Sequence, residues 1–292
     1  MFPILLYNNV MREIIFKIDD KSSGLMIRDF LRNFGVSSAL LTKLKQDENG
    51  IKLNGKFAKA IEVLKSGDNL TVNIKNSGKM PEKFECENVK VAYNDEDILV
   101  LNKPPLMPVH ESRNHRGDTL ANVAACYMES DCAFRAVYRL DRDTSGLVLI
   151  AKNELAASKL AGKIKKDYYA VVSGKFEGRG TIDLPIRRVQ ESIIERGVFD
   201  DGERAITHYE AIKTDGENTL LKLSLETGRT HQIRVHFSHL GAPLLGDTLY
   251  GGNCEKINRQ ALHCKTIYFT HPITHEKITV DSDFPKDFKG LI

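Results

Sequence analysis

Phe134-Arg135-Ala136-Val137-Tyr138-Arg139-Leu140-Asp141-Arg142-Asp143-Thr144-Ser145-Gly146-Leu147-Val148-Leu149-Ile150-Ala151-Lys152-Asn153 falls into two halves. A polar cluster, Arg139 to Gly146, stands directly before an apolar run, Leu147 to Ala151, of strand length and aliphatic composition. Thr144-Ser145-Gly146 is a turn signal just ahead of that run. Asp141 is therefore expected on a loop at a sheet edge, held by rigid structure, where catalytic residues are often placed. Arg139, Arg142 and Lys152 surround two carboxylates, Asp141 and Asp143. Nearby cations keep a carboxylate ionised, which suits a nucleophile or a base. A salt-bridged loop meets the same composition, so the order of the residues has to separate the two readings.

The 292 residues leave room for one large domain and a small one. A hydrophobic content of 41% suits a globular chain, and no apolar run approaches the ~20 residues of a membrane span. Met1 to Tyr7 are apolar, but no basic region precedes them and Asn8-Asn9 follow, so no secretory signal and a cytoplasmic location are expected. Five cysteines, Cys86, Cys126, Cys132, Cys254 and Cys264, lack zinc-ribbon spacing and read as free thiols. Residues 1–80 hold 13 Lys+Arg against 8 Asp+Glu, and the rest 29 against 31. The basic excess of the small part hints at a polyanionic partner there.

Along the chain, Arg12–Asp19 reads as a strand, 24–35 as a helix closed by Gly35, and 37–45 as a second helix with Ser37 as N-cap. Asn54-Gly55 marks a hairpin turn, and a strand follows from Leu70 to Ile74. Polar residues 77–88 read as a linker. The large domain, 89–292, opens with a hairpin around 94–97, followed by a helix at 119–128 with Leu120, Val123, Ala124 and Tyr127 inward. A helix is expected from Glu154 to Ile164, a strand over 165–174, short strands within 175–206, and a strand pair across Thr214-Asp215-Gly216-Glu217. Leu225 to His236 starts as a strand, turns at Gly228 and continues as a helix to about Leu240, with Thr230 as N-cap and Gly241 as stop.

Arg139-Leu140-Asp141-Arg142-Asp143-Thr144-Ser145-Gly146-Leu147 resembles the catalytic signature of the RluA-type RNA pseudouridine synthases. The position before the arginine is often His in that family and here is Tyr138. The resemblance implies that Asp141 is the catalytic aspartate. It also implies that Tyr168, in Lys166-Asp167-Tyr168-Tyr169-Ala170, stacks on the flipped base and assists proton removal from C5. Leu225-Glu226-Thr227-Gly228-Arg229-Thr230-His231-Gln232-Ile233-Arg234 matches the family nearly letter for letter, implying that Arg229 pairs with Asp141 and Ile233 floors the uracil pocket. Gly246-Asp247-Thr248-Leu249-Tyr250-Gly251 and Ala261-Leu262-His263-Cys264 complete the pattern and read as structural. The implied fold is α+β, a mixed, largely antiparallel central sheet with flanking helices. Residues 12–76 resemble an S4 RNA-binding module, whose helices would offer Arg28, Arg32, Lys43 and Lys45 to RNA phosphates. Arg139, Arg142, Arg187 and Arg188 are further RNA-contact candidates.

The expected function is isomerisation of uridine to pseudouridine in RNA, in large-subunit ribosomal RNA first and transfer RNA as the alternative. No cofactor, metal or membrane is expected, and the chain is expected to act as a monomer. Three other readings are weighed against it. His231, His236 and His239 offer one i, i+3 pair and no evident third ligand, so they make a poor metal site. Asp141-Arg142-Asp143-Thr144 also fits the nucleophile loop of haloacid-dehalogenase phosphatases. That fold places the loop after a parallel strand of a doubly wound sheet, whereas here the strand follows the loop. A non-catalytic RNA-binding protein on the same fold is disfavoured because Asp141, Tyr168 and Arg229 are all present.

Overall fold

The computed structural model describes residues 11–75, 78–128, 132–190, 192 and 194–291. The apolar start Met1 to Tyr7 lies outside the described residues.

The small domain comprises β1 (Met11–Lys17), α1 (Ile27–Phe34), α2 (Ser38–Gln46), β2 (Ile51–Leu53), β3 (Lys56–Phe57) and β4 (Asn69–Lys75). Its strands form an antiparallel sheet in the order β1-β4-β2-β3. The apolar faces of both helices close over the sheet and bury Ile27, Leu31, Leu40, Leu41 and Leu44 against Ile51, Leu70, Val72 and Ile74. The expected signals operate as read. Ser37 Oγ accepts the Leu40 N–H at 3.2 Å, and Gly35 closes α1 at φ 108°. Asn54 and Gly55, at φ 50° and 79°, turn the β2–β3 hairpin.

The large domain runs β5 (Lys90–Asn94), β6 (Ile98–Lys103), α3 (Leu120–Ala124), β7 (Ser145–Ala151), α4 (Glu154–Leu160), β8 (Lys165–Ser173), β9 (Arg179–Asp183), β10 (Ile186–Arg188), β11 (Arg196–Val198), β12 (Ile206–Thr214), β13 (Asn218–Leu225), α5 (Gln232–His239), β14 (Leu262–Thr270) and β15 (Lys277–Asp281). One sheet takes the order β5-β6-β7-β14-β8-β13-β12-β9, with β15 paired to β14, and β10–β11 form a separate two-stranded arm. Among the described residues its parallel pairing is β7 with β14; the other pairings are antiparallel. The fold is the expected mixed, largely antiparallel α+β arrangement. All seven residues of β7 are buried, which is why its sequence is a continuous aliphatic run. The loop carrying Asp141 enters β7 directly, and β7 follows it in a sheet that is not doubly wound, so the phosphatase frame is absent.

Three local expectations need correction. The helix at 119–128 ends at Ala124 and tightens into a 3-10 turn, which leaves Tyr127 41% exposed rather than inward. The helix from Glu154 stops at Leu160, ahead of Gly162 at φ 71°. Lys152 lies at the far end of β7, where its ammonium reaches the Asp95 carbonyl, not at the Asp141 loop.

The two domains are joined by specific contacts. The Arg12 guanidinium donates to both oxygens of Asp97 at 3.0 and 2.9 Å, and Lys43 pairs with Glu154 at 2.5 Å. Lys159 lies over the Phe34 ring at 3.6 Å, and Leu155 inserts into the small domain's core. Asp95, Asp97 and His271 are close enough to hold a metal among the described residues, but each is already engaged. Asp97 holds Arg12 and Asn153, while Asp95 accepts from Tyr93 and meets His271 Nε2 at 3.0 Å. The five cysteines are free thiols.

Candidate active site

A cleft of about 1600 Å³ opens over the middle of the large sheet. Its walls come from the Asp141 loop, the α4–β8 connection, the end of β13 and the turn into α5. Arg139, Arg142, Lys163, Lys165, Lys166 and Arg229 put cations on its lining.

The Asp141 loop is tied down from below. Thr144 N–H donates to the Asp141 carbonyl at 3.1 Å and closes the turn. The Lys103 ammonium is fully buried and donates to the carbonyls of Pro104, Met107 and Arg142 at 2.9, 2.9 and 2.8 Å. Burial pushes Lys103 down to about 7, against which the nearby Asp143 and Asp141 charges pull upward. Arg259 Nη1 reaches the Asp143 carbonyl at 3.2 Å, and Gln260 donates to Thr144 Oγ1 at 3.1 Å. Gly146 has φ 122°, and a Cβ there would lie 2.2 Å from the Cys264 carbonyl oxygen. Glycine is thus required where β7 runs closest to β14.

Asp141 projects from this platform with 28% of its side chain exposed, enough to meet a ligand. Its Oδ2 receives Arg234 Nη1 at 3.1 Å. Arg234 is buried on α5 and donates from Nε and Nη2 to Asp247, at 2.6 and 2.8 Å. Asp247 is itself 1% exposed. Burial lowers the Arg234 pKa, but the hydrogen bond and charge of Asp247, with Asp141 behind them, outweigh this and leave it raised. A permanent cation is therefore locked beside Asp141. The Gly246 to Gly251 segment, read as structural, supplies the anchor of that cation.

The arginine against Asp141 differs from the expected one. The Arg229 guanidinium forms an ion pair with Glu203 and donates to the Arg204 carbonyl at 3.1 Å. Arg229 precedes α5 on the cleft wall, whereas Arg234 lies on the helix face turned to the loop. The α5 N-cap is His231, in the left-handed region at φ 58°, rather than Thr230. Ile233 is buried in the main core, in the cluster that also holds Tyr168, and is not among the described residues that line the cleft.

Tyr168 lines the cleft from β8, opposite Leu223 and Cys264. Burial raises its pKa well above the usual phenol value, and the Cys264 and Asp141 charges add to the rise. A phenol so hard to ionise stays protonated at neutral pH and has no phenolate with which to take a proton. Arg139 and Arg142 line the rim in exposed positions, Arg142 pairing with Asp143 at 2.7 Å. Arg28, Arg32, Lys43 and Lys45 are exposed on the small domain, Arg28 pairing with Asp29 and Lys43 with Glu154. Arg187 stacks on Phe199 at 3.7 Å and pairs with Asp201 at 2.6 Å; Arg188 is exposed beside it.

Residues 97–239 match the family model for RNA pseudouridylate synthases. The chain is 40% identical over 284 residues to the RNA pseudouridine synthase YjbO of Bacillus subtilis, covering 92% of this chain and 98% of that one. The chain belongs to the RNA pseudouridine synthase family. It is also 34% identical to ribosomal large subunit pseudouridine synthase D of Pseudomonas aeruginosa, over 83% of this chain and 82% of that one. Among solved structures, human RNA pseudouridylate synthase domain containing 1 superposes with a TM-score of 0.57 at 27% identity, covering 70% of this chain and 86% of the human one. Such relatives place the synthase in the RluA-type branch, as the Arg139 to Leu147 motif implied. Its reaction class is the isomerisation of uridine to pseudouridine in RNA. The residues that sequence reading missed, Arg234, Asp247 and Lys103, carry one shared signal: each is a charged residue inside an apolar or turn segment that leaves it little access to water.

Proposed function

We propose that the synthase converts uridine to pseudouridine in large-subunit ribosomal RNA, with Asp141 acting on the target nucleotide. The observation that carries this reading is the Asp141 carboxylate held at the floor of an open, basic-rimmed cleft by an arginine that a buried aspartate locks in place. The ribosomal substrate is supported by the names of relatives that match 83% and 72% of this chain.

The reaction is redox-neutral. The N1–C1′ bond breaks, the uracil rotates, a C5–C1′ bond forms, and a proton leaves C5 while N1 gains one. Asp141 serves as the nucleophile or base that starts this exchange, and Arg234 holds its carboxylate in place and aims it. Tyr168 supplies a planar wall for a base that has left its stack. Arg229, Arg139 and Arg142 take the backbone phosphates at the rim, and the small domain's helices add sequence-independent affinity through Arg28, Arg32 and Lys45. Lys43 joins that set with less freedom, because Glu154 holds it.

Tritium release tests the assignment. Unmodified ribosomal RNA containing 5-tritiated uridine is incubated with wild type and with Asp141→Ala. Release by wild type alone is expected, since C5 loses its hydrogen only when the new C–C bond forms. Release by both proteins sinks the role of Asp141. Release from transfer RNA but not ribosomal RNA replaces the proposed substrate with the alternative.

A further inference from the structure

We infer that His231 is a positioning residue for this reaction, an imidazole whose Nε2–H is directed at the Asp141 oxygen that Arg234 already holds, so that the other oxygen is kept for the substrate. This rests on the assignment of Asp141 above.

His231 stands at φ 58°, a left-handed conformation uncommon for a non-glycine residue. Its side chain is 11% exposed, its ring meets the Tyr250 ring edge-on at 5.7 Å, and its Nδ1 lies 2.9 Å from Tyr250 Oη. Tyr250 Oη accepts the Arg196 backbone N–H at 3.0 Å. Its own proton is then directed to His231 Nδ1, which must act as an acceptor, and the ring proton resides on Nε2.

Nε2 is 3.8 Å from Asp141 Oδ2, the oxygen that Arg234 reaches at 3.1 Å. A distance of 3.8 Å is too long for a hydrogen bond, but catalytic contacts tighten when substrate fills a site, and a movement of about 1 Å completes this one. Two donors on Oδ2 restrict the carboxylate's rotation and leave the lone pairs of Oδ1 clear of both. Among the described residues, Asp141, Arg234, Asp247, Arg196 and Tyr250 are charged or titratable groups facing the ring. Burial lowers its pKa most strongly, Asp141 and Asp247 raise it, and Arg234 and Arg196 lower it again. The net depression keeps the ring neutral at neutral pH, and its proton stays on Nε2.

Two substitutions separate donation from architecture. His231→Asn tolerates the left-handed backbone and can still bond Tyr250, but its amide ends near the Nδ1 position and offers Asp141 nothing. His231→Gln carries an N–H to the Nε2 position. Single-turnover tritium release is measured at saturating enzyme on unmodified ribosomal RNA with 5-tritiated uridine, alongside RNA affinity by filter binding and thermal stability. His231→Asn should slow the reaction about 10- to 100-fold at unchanged RNA affinity, the loss of one hydrogen bond to a charged group. His231→Gln should recover to within about fivefold of wild type, by the same scale. Tyr250→Phe, which keeps the ring but releases the tautomer, should fall between them.

Equal rates for the Asn and Gln variants, a loss confined to RNA affinity, or a wild-type rate in Tyr250→Phe would each overturn the inference. So would a pH limb in the ordinary histidine range that disappears in His231→Gln, because the ring would then be carrying a proton. Asp141→Ala in the same series keeps the two readings apart. If it remains active, the Asp141 assignment itself has failed; if it is dead while His231→Asn is fast, only the role of His231 has.

Discussion

Arg234 uses one planar fork on two carboxylates: Nε and Nη2 clamp Asp247, and Nη1 is left for Asp141. An ammonium cannot reproduce that division. Arg234→Lys should lower kcat about 100-fold at unchanged RNA affinity, on the scale of losing one preorganised electrostatic contact. Arg229→Gln, on the cleft wall, should instead weaken RNA binding and flatten its salt dependence while kcat holds. Filter binding at several salt concentrations beside single-turnover rates distinguishes the two. Behind the loop, His263 contributes a pH dependence. It is 1% exposed between Ser145 and Ser282, and burial together with the Arg259 and Lys265 charges lowers it to about 4. The unfolded chain takes up that proton near pH 6.5, so between about 4 and 6.5 it binds more protons than the folded one. Stability from this residue is therefore complete above about pH 6.5 and is lost as the pH falls toward 4, amounting to about 3 kcal/mol. Urea midpoints at pH 7.5 and 5 should differ less in His263→Gln than in wild type. The position of Asp141 on a loop in the cleft was legible from its motif, and which of Arg229 and Arg234 would reach it was not. Both lie in one short run, and which faces Asp141 depends on where α5 begins, which a left-handed histidine sets rather than a cap with a sequence signature.

At the scale of elements, the site depends on how tightly the loop before β7 is held. Lys103 satisfies three carbonyls on two segments at once, and Lys103→Met would leave them buried without a donor. That should cost about 1–3 kcal/mol and slow the reaction by loosening Asp141, read from the urea midpoint and the single-turnover rate together. Gly146→Ala tests the contact between β7 and β14. Its Cβ would drive into the Cys264 carbonyl at a backbone angle that alanine resists, so a loss of about 3 kcal/mol or more is expected in the same unfolding assay. Buried β7 could be read from its aliphatic run, and the small domain's helices from Ser37 and Gly35, because those signals act within a few residues. The early end of α3 escaped the reading because no local cap or break in periodicity marks it, whereas α4 ends ahead of a left-handed Gly162, a local stop that the run to Ile164 passed over.

The whole molecule depends on contacts that no local pattern announces. β14 comes more than 110 residues after β7 in the chain, yet it lies between β7 and β8 and carries the backbone against which Gly146 fits. The separate sheet of β1 to β4 could be read from turn signals, but its docking on the large one could not, because it rests on side chains 85 residues apart. Arg12 on β1 grips Asp97 in the β5–β6 turn, and Asn153 at the start of α4 holds the same carboxylate at 2.7 Å. Asp97 is only 2% exposed, so removing its partner leaves a buried charge. Arg12→Met should weaken the docking by about 3 kcal/mol, seen as faster hydrogen exchange in β1 and β4 with the large sheet still protected. If the small domain serves to hold RNA, its helices help only while their position relative to the cleft is fixed. Arg12→Met should then raise the Kd for long ribosomal RNA severalfold, with a smaller rise for a short stem-loop that fits the cleft alone, and leave kcat on the stem-loop unchanged. Equal losses for both RNAs would instead place the whole binding surface on the large domain and make the small domain a structural support for β5, β6 and α4.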